Sequence, residues 1–186
     1  MAISYKLERG EDLLDAILRE SSSKALIMES QASTTPLLRL AKACATTNLP
    51  IASHDFLRDP NKIALYNYGN LAFLHGFGYE WEEFIQLPSS KCVETPGEVE
   101  ERQRLLDAVL RQTNAKRNDA SSKYDNLIRV RKDGRKILLK GVNLWNVYDD
   151  IIFEGDSLDI ARARIEQGEI KAIGQAVWIR HVEYLD

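Results

Sequence analysis

The sequence is poor in the residues that most often carry chemistry. Of its 186 residues only Cys44 and Cys92 are cysteines, and His54, His75 and His181 are its only histidines. Two cysteines outside any CxxC spacing and away from the histidines supply neither a zinc site nor a disulfide framework. Two separate thiols in a reducing compartment are expected instead, and no metal site is expected. HExxH, GxSxG and GxxxxGK[ST] are missing, so the metalloprotease, α/β-hydrolase and phosphate-loop signatures are too. Positive charge is not in excess: 25 lysines and arginines face 28 aspartates and glutamates, for a formal net charge of −3. That balance exerts no global pull on nucleic acid or an anionic membrane. No apolar run approaches the ~20 residues that span a bilayer. The start, MAISYKLERGEDLLD, lacks a basic stretch followed by an apolar core, so it does not read as a secretory signal. The expectation is a soluble cytoplasmic or otherwise intracellular protein.

What is present is an ordinary globular composition, 44% apolar and 28% charged, long enough to bury roughly two-thirds of its unfolded surface. Residues 1–48 read as a helical extension. Leu13, Leu14, Ile17 and Leu18 share a face of a first helix starting near Glu11. Thr35 as N-cap and Pro36 in the first turn begin a second, with Leu37, Leu40, Ala41 and Cys44 along one side. Leu49 to Ser53 and Ile63 to Tyr68 read as two strands around the Asp59-Pro60-Asn61 turn. Residues 69–94 hold short helices and turns. Thr95-Pro96-Gly97-Glu98 has capping-box spacing and opens a helix through Val99, Arg102, Leu105, Leu106, Val109 and Leu110. Residues 124–130 and 137–148 read as strands around Lys132-Asp133-Gly134-Arg135, where Asp-Gly supplies the positive φ a tight turn needs. A short helix from Ser157 to Gln167, stopped by Gly168, precedes a last strand from Ala172 to Tyr184. Strands at both ends with helices between predict an α+β fold: a five-stranded antiparallel sheet with short helices on one face, plus the N-terminal helices.

The punctuation of this order resembles the PAS fold. Asn70-x-Ala72 follows the second strand, Gly78-Tyr79-x-x-Glu82-Glu83-Phe84 comes next, and Arg131-Lys132-Asp133-Gly134-Arg135 sits at the hairpin between the third and fourth strands. More closely, the chain is similar to the MEKHLA domain, a PAS-like family found in bacterial proteins and at the end of plant class III homeodomain-leucine zipper factors. The segments that carry this likeness are SHDFLRDPNKIALYNYGNLA (53–72), WEEFIQLPSS (81–90), RQRLL (102–106), GR (134–135), VNLWNVYD (142–149) and GQA (174–176). On this basis residues 49–186 form the PAS-like domain. The family joins its last two strands by a short turn, whereas here about twenty residues, 150–171, are inserted. No sustained heptad or homeodomain pattern occurs, so the DNA-binding role of the plant factors does not carry over.

The resemblance implies a cavity between the inner face of the sheet and the short helices. Its candidate lining is Tyr66, Tyr68, Phe73, Phe77, Trp81, Ile128, Val130, Trp145 and Trp178, with Asn67, Asn126, Asn143 and Gln175 as polar anchors. The same residues also describe a filled core. Relatives of the light-oxygen-voltage type imply flavin, for which Cys92, Asn143, Asn146 and Gln175 are the candidates. However, the Asn-Cys-Arg-Phe-Leu-Gln motif of that group is replaced by Ser90-Lys91-Cys92-Val93-Glu94. A haem would need an axial ligand, and His75 is the one candidate. No bound cofactor is the expectation. Catalytic residues are not expected either: Ser53-His54-Asp55 are neighbours on a strand and point to opposite faces. The basic run Arg129, Arg131, Lys132, Arg135, Lys136 and Lys140 reads as a solvated hairpin. Leu13, Leu14, Ile17 and Leu18 are a candidate interface for a homodimer or a protein partner. The implied function is a non-catalytic sensory, ligand-binding or protein-interaction module. A flavin-binding photosensor and a small cavity-based metabolic enzyme are the alternatives.

Overall fold

The computed structural model describes residues 13–20, 36–56, 63–93, 96–111, 126–148 and 158–185. In chain order the elements are α1 (Leu13–Glu20), α2 (Pro36–Thr46), β1 (Ile51–Asp55), β2 (Leu65–Gly69), α3 (Leu71–Phe77), α4 (Trp81–Phe84), a 3-10 turn (Ser89–Cys92), α5 (Pro96–Arg111), β3 (Leu127–Val130), β4 (Lys136–Tyr148), α6 (Leu158–Glu166) and β5 (Ala172–Tyr184). The five strands form one antiparallel sheet in the order β2-β1-β5-β4-β3. The expected α+β architecture is therefore present. The candidate caps Thr35 and Thr95 lie outside the described residues, as does the side chain of Glu98.

The sheet is covered on both faces, because both faces carry large apolar side chains. On the front, Phe73, Phe77, Phe84, Cys92 and Val109 pack against Tyr66, Leu127, Ile137, Leu139, Val142 and Ile179. On the back, Leu13, Ala16 and Ile17 of α1 and Ala43 and Cys44 of α2 pack on Ile51, Trp145, Ala176 and Trp178. An eight-residue helix such as α1 is too short to hold itself in water. Burying Leu13 and Ile17 completely stabilises it by about 1.5–3 kcal/mol each. These two candidate interface residues are thus an intrachain contact: Trp145 and Trp178 form an apolar back face that their own helices cover. Leu14 is half-buried beside them, and the side chain of Leu18 lies outside the described residues.

Asn70 locks these layers together. Its buried Oδ1 accepts from the backbone N–H groups of Ile51 (2.9 Å) and Phe73 (3.0 Å), so it starts β1 and caps α3 at once. Its Nδ2 donates to the carbonyls of Cys44 (2.9 Å) and Leu49 (2.8 Å), tying in α2.

The β3–β4 hairpin is docked rather than free. Arg131 donates to the carbonyls of His75 and Gly76 at the end of α3 and lies over the Tyr184 ring, 5.2 Å from its centroid. Lys132 pairs with Glu83 at 2.5 Å. Arg135 pairs with Asp133 at 2.7 Å. The reading of this run as a solvated hairpin is corrected at its first member: Arg129 points inward and is 8% exposed.

Gly174 marks a close approach between β5 and β1. A Cβ there would lie 2.2 Å from the His54 carbonyl oxygen. Gly174→Ala is therefore expected to lower unfolding stability by at least about 1–3 kcal/mol in urea titrations, the usual cost of overpacking. Asn70→Ala strands four buried backbone groups, and a loss of about 3 kcal/mol is expected in the same measurement. Asn70→Asp should not rescue it, because the carboxylate cannot donate to Cys44 and Leu49.

Candidate functional site

Between the front of the sheet and the helices lies a cavity of about 80 Å³. Its walls are mostly apolar: Phe73 and Phe77 from α3, Leu105 from α5, Leu127 from β3, Leu139, Val142 and Leu144 from β4, and Val177 and Ile179 from β5. Phe73 and Phe77 stack with ring centroids 4.2 Å apart, and Tyr66 stacks on Phe84 at 4.3 Å. This makes one side a rigid aromatic wall.

Set into these walls is a polar group: Ser53 and His54 from β1, Tyr66, Ser89, Cys92, Arg102, Arg129 and Gln175. The Tyr66 hydroxyl and the Cys92 thiol are hydrogen-bonded at 3.6 Å. Burial raises the pKa of both, so the thiol stays protonated and is no ready nucleophile. Burial, assisted by the Arg102 charge, pushes the His54 imidazole down to about 3. Its Nδ1 has no hydrogen-bond partner among the described residues. Arg102 donates to the Ser89 hydroxyl. Arg129 donates to the Ile128 carbonyl at 2.6 Å. Burial lowers the pKa of both guanidinium groups, and the Arg102 charge acts on Arg129 in the same direction. Both remain cations, as arginine does in proteins. At one end Gln175 donates to Asn146 at 3.2 Å, and Asn146 donates to the Val109 carbonyl of α5 at 2.9 Å.

Of the residues expected to line a cavity, the structure brings together Tyr66, Phe73, Phe77 and Gln175. The others lie elsewhere. Trp145 and Trp178 are in the back cluster, and Asn143 is paired in register with Trp178. Tyr68 follows them to the back, because the register slips between Ser53 and His54 and Asn67 is left unpaired in the ladder. This bulge turns Tyr66 and Tyr68 to opposite faces. Asn67 accepts from Ser53 and donates to Asp55, so it holds the bulge. Trp81 is exposed and meets Tyr68 edge-on. On β3 the parity is the reverse of the expectation. Leu127 sits opposite the buried Leu139 and faces inward with Arg129, while Ile128 is 40% exposed. Val130, two residues further on, is half-buried and outside the cavity lining, and Asn126 is exposed at the strand's start.

Sequence reasoning missed Arg102 and Arg129. A signal existed for Arg102, which occupies a position in the apolar spacing of α5; the inward parity of Arg129 is set by the pairing of β3 with β4.

The cavity can be tested against the cofactors considered. It is far smaller than the roughly 300–1,000 Å³ of sites that take drug-sized ligands, so a three-ring flavin does not fit this arrangement. Cys92 is taken up by Tyr66. His75, the haem candidate, is exposed on α3 and does not line the cavity. Among the described residues there is no cluster of metal-ligating side chains. No described helix is long and apolar enough to cross a membrane.

Comparison with known proteins gives the following. No curated protein matches the chain. Its structure is similar to the PAS domain of a protein from Colwellia psychrerythraea, with a TM-score of 0.52 and 16% identity over 81% of this chain and 98% of that one. It is also similar to an RNA-binding light-oxygen-voltage receptor, at TM-score 0.48 and 16% identity, over 84% of this chain and 35% of that one. A third likeness is to a light-oxygen-voltage domain whose mechanism was probed with a flavin analogue, at TM-score 0.46 and 17% identity, over 79% of this chain and 84% of that one. At such identities the likeness is one of fold. The family model for the MEKHLA domain matches residues 2–155, most of the chain and both N-terminal helices. With the strand order and the cavity behind the helices, that match places the protein: the chain belongs to the MEKHLA domain family, a family of PAS-like domains.

Proposed function

We propose that the protein is a non-catalytic sensory module that takes a small molecule into its front cavity and passes occupancy to a protein partner or a second copy of itself. The observation that carries this reading is the cavity itself: an apolar space into which are set two guanidinium groups and a buried His54 Nδ1 that has no partner among the described residues. Apolar walls with a few fixed polar groups are the usual form of a small-molecule site. The same residues argue against catalysis. The buried thiol is protonated, the imidazole is neutral, and no described nucleophile is hydrogen-bonded to a base in the cavity.

The route outward follows from the sheet. Gln175, Val177 and Ile179 of β5 face the cavity, while Ala176 and Trp178 of the same strand lie in the back cluster under α1 and α2. A shift of β5 that accompanies occupancy would be felt at once by the helices on the back. Loosening those helices would uncover Trp145 and Trp178, an aromatic surface suited to a partner.

Native mass spectrometry of protein purified from its own host is expected to show a co-purifying small molecule. Val177→Phe, which fills the cavity, should lose that molecule while retaining cooperative unfolding. A bare apo mass, together with a melting temperature that no member of a small-molecule panel moves, would overturn the reading. Titration with flavin mononucleotide should leave the spectrum of the free flavin unchanged; a shifted, protein-bound band near the blue would instead support the photosensor.

A further inference from the structure

Resting on the cavity reading above, we infer that the ligand is a small carboxylate, bound between the guanidinium groups of Arg102 and Arg129 with its short hydrocarbon part against the apolar wall. A guanidinium carries five N–H donors. Among the described residues Arg102 has one acceptor, the Ser89 hydroxyl, and Arg129 has one, the Ile128 carbonyl. Four other described arginines are ion-paired. Arg104 pairs with Glu100, Arg131 and Arg135 with Asp133, and Arg164 with Glu169. Neither cavity arginine has an ion pair among the described residues; Glu101 acts on Arg129 from a greater distance, and no aspartate or glutamate lines the cavity.

Two cations facing one small space repel each other and have lost much of their water. Buried charges are normally paired, because leaving one unpaired is expensive. The group that would satisfy both is an anion with two or more acceptor oxygens, and a carboxylate matches the guanidinium fork. His54 Nδ1 and Gln175 lie on the same lining and offer further polar contacts.

Size and polarity narrow the class. The space is small, about 80 Å³, which suits a short ligand rather than a large ring system. Leu139, Val142, Val177 and Ile179 favour a hydrocarbon end over a second charge. Acetate and propionate fit that description better than phosphate or a dicarboxylate. The net charge of −3 makes the positive field local to the cavity rather than a property of the whole surface.

The test uses the full chain in a buffer free of other small anions, with calorimetry and thermal melts as readouts. Propionate is expected to bind saturably and raise the melting temperature. Propionamide, which has the same shape and no charge, should bind at least tenfold more weakly. Arg129→Met, which keeps the bulk and removes the charge, should abolish the propionate shift while melting no lower than the ligand-free wild type. The acid–amide pair needs no substitution, so the inference stays testable even if Arg129→Met fails to fold. Equal responses to propionate and propionamide would overturn the anion assignment and leave the cavity reading standing. Phosphate binding as tightly as propionate would overturn the hydrocarbon part. If propionate, propionamide and 1-propanol all fail to bind, the cavity reading falls with it.

Discussion

One buried amide sets the relation between the two helical layers and the sheet. Asn70 uses its full hydrogen-bond capacity, with two bonds accepted at Oδ1 and two donated from Nδ2. The partners are backbone groups in the last turn of α2, the α2–β1 connection, the start of β1 and the first turn of α3. Such groups have no partner within their own helix or strand and must find one elsewhere. Because a single side chain serves all of them, the back layer and the cavity helix are fixed to the same point. The peptide of Asn70 extends the lock, since its N–H donates to Ile51 and its carbonyl accepts from Leu74.

This lock explains why the chain could be read so far from its sequence. Asn70-x-Ala72 stood out through the resemblance to the PAS fold, and the structure gives it a physical role as the cap of α3 after β2. The RKDGR run stood out because a tight hairpin needs its Asp-Gly. The long elements were legible from different signals: β4 from its apolar run after the Asp-Gly turn, β5 from its β-branched and aromatic content, and α5 from its capping-box spacing and helical periodicity. Strand faces were harder. Tyr66 and Tyr68 have the spacing of a shared face, and only the bulge at Asn67 separates them. Aromatic content was no guide either, because the sheet buries aromatics on both sides: Trp145 and Trp178 look like cavity lining but support α1.

The candidate site was less legible than the fold for an electrostatic reason. Charge patterning treats a basic residue in a hairpin as solvated, which holds for Lys132 and Arg135, whereas Arg131 is largely covered by α3 and Tyr184. Arg129 has the same neighbours in sequence but falls on the inward parity of β3 beside Leu127. Nothing in composition separates these cases. Pairing register does, and register is a long-range property of the sheet.

The two inward arginines sharpen what the core is for. A core built for stability alone would place apolar side chains at these two positions, because replacing buried ionic groups by well-packed apolar ones is often neutral or stabilising. Here the cations line the cavity from α5 and β3, and among the described residues each donates to a single acceptor. The cost falls on the empty state and is relieved when an anion enters. A site arranged this way couples binding to the closure of α5 and β3 on the sheet, because the same ligand would contact both elements. Occupancy would then stiffen the front layer, and β5, shared between front and back, gives α1 and α2 a direct mechanical connection to that change.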